Sequence, residues 1–182
     1  MPTLMRRSRV VFLLGAALVV SLIAAATAYA LTADSFKYSK PKTGYVRVSH
    51  MAFTANTDFV TWSQSLTDGL TTRGGNGCFN AGVDLPVRSE VKSVTWYYRS
   101  GVGSDLEATF HMNQLGSGVG SDIVGPVFPA EDSDVPTSVT LNVPAKKQIV
   151  TSGRAYWVEA CPGNDGALFG ARIKYTYTSA GS

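Results

Sequence analysis

Two histidines, His50 and His111, two cysteines, Cys78 and Cys161, and a scatter of carboxylates limit the catalysis or metal chemistry open to this 182-residue chain. A Ser-His-Asp triad needs one histidine oriented by a carboxylate. Glu107 and His111 share one face of an alternating stretch, but four residues along a strand cover roughly 13 Å, too far for a hydrogen bond. A partner would have to come from another strand. Neither G-x-S-x-G nor H-E-x-x-H occurs, so hydrolase and zinc-peptidase signatures are missing. Paired carboxylates for glycoside hydrolysis can be drawn from Asp105, Glu107, Glu131 or Glu159, and no spacing singles out a pair. Glu131-Asp132-Ser133-Asp134 is an acidic loop without the spacing of a calcium loop. The hexapeptide Ser100–Asp105 recurs at Ser117–Asp122. The intervening strand of about nine residues would hold the copies roughly 30 Å apart, so they read as two loop connections. No catalytic residue, metal ligand or cofactor site is assigned.

Cys78 and Cys161 have no C-x-x-C spacing. Two cysteines in an exported chain are expected to pair. A bridge closing roughly 80 residues would contribute about 4–5 kcal/mol in the chain-entropy model.

The aromatic residues suggest binding instead. Trp96 and Tyr98 share the face of Val94 and are expected in the core, with Phe110, Met112, Val158, Phe169 and Ile173. Tyr97 and Trp157 have the opposite parity. With Trp62 they are the candidate ligand aromatics.

These side chains must be carried by strands, because helical periodicity is nearly absent. Strands are expected over 45–53, 78–83, 91–99, 106–114, around Val139–Val143, 155–161 and 168–178, separated by Gly, Pro, Asp and Ser. Residues 58–77 stay open between strand, short helix and loop. The fold class is all-β: an antiparallel β-sandwich, jelly-roll-like, after an N-terminal signal segment.

That segment has Arg6-Arg7-Ser8-Arg9, an apolar stretch from Val10 to about Thr27, and Ala28-Tyr29-Ala30. This order predicts a secretory signal cleaved between Ala30 and Leu31. An uncleaved anchor is the rival, since the uncharged run reaches Ala33. The expected organisation is signal 1–30, extension 31–44, sandwich 45–178 and tail 179–182. Arg6, Arg7 and Arg9 account for the whole net charge of +3, so residues 31–182 are neutral. Lys146-Lys147 is the only basic run left, and nucleic acid is excluded as a partner.

Leu168-Phe-Gly-Ala-Arg-Ile-Lys-Tyr-Thr176, with the strands Val91–Tyr98 and Leu106–Met112, resembles uncharacterised secreted bacterial proteins. In these a single β-sandwich follows a signal peptide, and an L-Y/F-G-x-R-I-x-Y-T stretch closes the domain. The resemblance implies that fold and an extracellular setting, and brings no catalytic residues. The expected function is a non-enzymatic exported domain for extracellular binding or surface assembly, with a polysaccharide or protein partner. The alternatives are a carbohydrate-binding module and a secreted hydrolase.

Overall fold

The structure, a computed structural model, describes residues 36–56, 61–73, 77–100, 106–127 and 135–180. Contacts divide the chain into two units, Met1–Lys37 with Ser179–Gly181, and Tyr38–Thr178 with Ser182. The second is the sandwich. The signal segment, Asp105 and the acidic loop 131–134 lie outside the described residues.

Two antiparallel sheets face each other. Sheet A runs β3 (Thr61–Ser65), β4 (Gly69–Arg73), β11 (Ala167–Ala180), β6 (Glu90–Arg99), β9 (Thr137–Asn142), and β1 (Phe36–Ser49) also pairs with β11. Sheet B runs β2 (Thr54–Ala55), β5 (Phe79–Val83), β10 (Arg154–Cys161), β7 (Glu107–Gln114), β8 (Gly120–Val127). From β5 onward only β7 and β8 are consecutive partners; every other connection crosses between sheets. No helix among the described residues is long and apolar enough to cross a membrane.

Period-two alternation builds the core. Val94, Trp96 and Tyr98 of β6 meet Phe110 of β7, Tyr156 and Val158 of β10, and Ile173 of β11, all buried. Each large apolar side chain so removed from water contributes about 1.5–3 kcal/mol. Two expected core residues are less buried than that: Met112 packs at the core's margin and Phe169 lies outside it. Met112 is only half-buried, near the end of β7, where Arg154 Nη1 lies 3.0 Å from its sulfur. Phe169 is half-buried on the outer side, because a register shift between Leu168 and Gly170 reverses the parity there. Gly170 makes that irregularity at φ 140°, and a Cβ there would collide with the Val48 carbonyl oxygen.

One stretch left open resolves into strands, and two others depart from the expected ranges. Residues 61–73 form the β3–β4 hairpin, closing through Leu66-Thr67-Asp68. Gly120–Val127, partly read as a loop, is strand β8, so Asp122 is a strand residue. β1 starts at Phe36, within the expected extension, and continues through Pro41.

Cys78 and Cys161 lie at disulfide distance, S–S 2.01 Å, joining the start of β5 to the end of β10. Cys78, Glu159 and Cys161 offer ligand atoms within 4.8 Å of one another. The bridge occupies both sulfurs as metal donors, and Glu159 is left alone.

Candidate functional site

The outer face of sheet B gathers polar chemistry around one indole. Strand pairing sets Gly82, Trp157, His111 and Asp122 in a single row across β5, β10, β7 and β8. Trp157 and His111 stack with ring centroids 5.1 Å apart and planes at 17°. His111 Nδ1 donates to Asp122 Oδ1 at 2.8 Å. Its Nε2 faces Glu159 Oε1 at 3.9 Å, and Glu159 Oε2 accepts from Asn56 Nδ2 at 3.3 Å. Lys147 Nζ donates to the Asp122 backbone carbonyl.

The register explains this cluster. Thr109, His111 and Asn113 alternate outward along β7, and Trp157 and Glu159 do so along β10. His111 is therefore held from both sides, and its side chain is only 16% exposed. It is less accessible than an ordinary surface histidine, and Asp122 is the cross-strand carboxylate that Glu107 was too far away to be. Thr109 shares the outward parity of Glu107 and His111 yet is buried, because the backbone at Gly125 approaches closely enough that a Cβ there would lie 2.9 Å from Thr109 Cα.

His111 covers one flank of the indole, and the flank toward Gly82 is open. Gly82 has nothing within 4 Å of where a Cβ would stand, and a Cβ on Gly120 would meet Trp157 only at 3.9 Å. Asn80 Oδ1, His111 Nε2 and Asn113 Oδ1 are buried on this face with no hydrogen-bond partner among the described residues. A buried polar atom without a partner costs about 1–3 kcal/mol, so the polar network on this face is incomplete.

The His111–Asp122 pair forms the orienting half of a triad. Opposite Nε2, however, stands the Glu159 carboxylate, an acceptor with no proton to surrender as a nucleophile. His50 is remote in topology, heading a short 3-10 helix after β1.

The other two candidate aromatics belong to sheet A. Trp62 is on the edge strand β3, packing edge-on against Phe79 with centroids 6.0 Å apart, so one side of its ring closes the core margin. Tyr97 stands outward on β6 beside Arg172 of β11, whose guanidinium carbon is 5.8 Å from the Tyr97 ring centroid and 5.6 Å from that of Tyr45. Two adjoining depressions, of about 430 and 490 Å³, share Tyr97 and Phe169 as walls. The first is also lined by Arg47 and Arg172, the second by Pro136, Thr137 and Ser138.

No family model and no curated protein matches the chain. Among solved structures, the fold is similar to a xylan-binding module, CBM15, with a TM-score of 0.54 and 11% identity over 73% of this chain and 97% of that one. It is less similar to the C-terminal CBM6 of a marine laminarinase from Zobellia galactanivorans, with a TM-score of 0.46 and 12% identity over 71% and 98% of the two chains. For the CBM22-1 xylan-binding domain from Paenibacillus barcinonensis the TM-score is 0.44 and the identity 14%, over 81% and 99%. At these identities the likeness is one of fold.

Proposed function

We propose that this chain is an exported, non-catalytic carbohydrate-binding module that holds a polysaccharide on the outer face of sheet B. The carrying observation is the row Gly82, Trp157, His111, Asp122, bordered by the partly exposed carboxylates of Asp122 and Glu159. A pyranose presents a face of weakly positive C–H bonds, which packs on the negative face of an indole. Its hydroxyls, which both donate and accept, suit a border of carboxylate, amide and imidazole. Trp157 is the platform in this reading. Asp122 and Glu159 accept from sugar hydroxyls, and His111 holds the indole and Asp122 in place. The missing side chains at Gly82 and Gly120 let a linear chain pass.

The fold shared with a xylan-binding module supports this reading over a general binding or assembly role. The cysteine pair at disulfide distance supports an oxidising, extracellular setting, reached through a signal cleaved after Ala30. Affinity electrophoresis through gels containing xylan, laminarin or hydroxyethylcellulose tests the proposal. Retardation by at least one neutral polysaccharide, abolished by Trp157→Ala with an unchanged melting curve, is expected. Free migration in every gel, or retardation that survives Trp157→Ala, would overturn it.

A further inference from the structure

The neutral balance of residues 31–182 conceals a division of charge between the two sheets. Apart from the Lys92–Glu90 ion pair, the β1, β6 and β11 strands of sheet A carry Lys37, Lys40, Lys42, Arg47, Arg99, Arg172 and Lys174 and no carboxylate. The strands of sheet B carry Glu107, Asp122 and Glu159 against Arg154 and His111. Alternation scatters these residues along the sequence, and strand pairing collects them.

The cationic side is also the grooved side. Arg172 is steadied between the rings of Tyr45 and Tyr97, and Arg47 lines the same depression. Neither guanidinium has a carboxylate within ion-pair distance among the described residues. Phe169 and Tyr97 form the apolar wall, and Phe169 is there only because the irregularity at Gly170 turns it out of the core. Each depression falls within the roughly 300–1,000 Å³ typical of small-ligand sites.

We propose that this groove is a second binding site, for the carboxylate-bearing sugar of an acidic polysaccharide. The planar guanidinium fork matches a carboxylate in two parallel hydrogen bonds, and Arg172 is ordered for that contact before the ligand arrives. Tyr97 and Phe169 pack against the sugar ring, and Arg47 meets the next charge along the chain. A nucleic acid fits less well, since only one side of the groove is basic and its far end is lined by Pro136, Thr137 and Ser138. This site is separate from the sheet B face, and neither depends on the other.

The test is affinity electrophoresis of the whole exported chain against polygalacturonate, fully methyl-esterified polygalacturonate, dextran sulfate and single-stranded DNA. Polygalacturonate should retard the chain, and esterification should remove the effect. Raising salt from about 0.1 M to about 1 M, which shortens the screening length from about 10 Å to about 3 Å, should weaken binding strongly. Arg172→Gln should weaken it about tenfold or more, while Trp157→Ala leaves it unchanged. Should Arg172→Gln alter the melting curve, Arg47→Gln, on an exposed residue, is expected to act in the same direction. Equal retardation by the esterified polymer, preference for dextran sulfate or DNA, or indifference to both arginine variants would overturn the assignment. If polygalacturonate binding is lost in Trp157→Ala and kept in Arg172→Gln, the acidic ligand belongs to sheet B and this proposal fails.

Discussion

Phe110→Ala probes the register on which both candidate faces depend. Phe110 is fully buried in β7, opposite Val158 of β10, with its ring stacked on Tyr156 at 6.2 Å and 26°. Truncation removes the transfer energy of the ring and leaves a cavity that rigid strands on both sides cannot close. The expected loss is about 3–5 kcal/mol, a large share of the roughly 5–15 kcal/mol that holds a domain together. At about 2–4 °C per kcal/mol for a domain of this size, the melting midpoint should fall by about 6–20 °C. Glu107→Ala, on an exposed residue of the same strand, should cost under about 0.5 kcal/mol. Thr109→Ala should lie between, near 1 kcal/mol, because the backbone at Gly125 covers that residue. Urea unfolding followed by tryptophan fluorescence ranks the three. A one-residue slip would exchange inner and outer faces. Equal midpoints for Phe110→Ala and Glu107→Ala, or a reversed order, would refute the register and the outward placement of Trp157 and His111 with it.

Other outcomes follow from the same geometry. Cys78→Ser/Cys161→Ser should lower stability by about 4–5 kcal/mol, given a sequence separation of 83, and equal urea midpoints for this pair and the parent would refute the bridge. Gly82→Leu fills open space on a strand and should leave stability unchanged within about 0.5 kcal/mol while abolishing retardation by neutral polysaccharide; unchanged retardation would show that the row is not the path of the ligand. Gly170→Ala should destabilise by about 1–3 kcal/mol, through backbone conformation and the clash with β1, measured by thermal melting. Intact mass of the exported product should correspond to a chain starting at Leu31; a product retaining residues 1–30 in the membrane fraction would indicate an anchor.

What the sequence disclosed follows the physics of alternation. Strands with one buried and one open face, such as Leu106–Gln114 and Val91–Arg99, show their period of two, so Trp96, Tyr98, Phe110 and Val158 could be placed in the core and Tyr97 and Trp157 outside it. Strands at or near sheet edges were masked by composition. β8 contains Gly120, Gly125 and Pro126, and β1 contains Pro41 among lysines, which an edge tolerates because one side of its ladder is unpaired. The β3–β4 hairpin has a polar sequence with few large apolar residues, and so little period to read. The bulge at Gly170 defeated parity for Phe169. Partners across the sheet left no trace in spacing: His111 and Asp122 are 11 residues apart and meet only through the β7–β8 register. The basic face of sheet A was equally hidden, since its residues come from β1, β6 and β11 and never form a run.

Fluorescence titration tests the carbohydrate site most directly. Trp96 is fully buried and should be silent, and Trp62→Phe removes the residue at the sheet edge, leaving Trp157 as the reporter. Adding soluble xylan oligosaccharides to this variant should change the emission saturably, and the change should vanish when Trp157→Phe is added. Emission that stays flat with every neutral oligosaccharide, or a saturable change that persists without Trp157, would contradict the account.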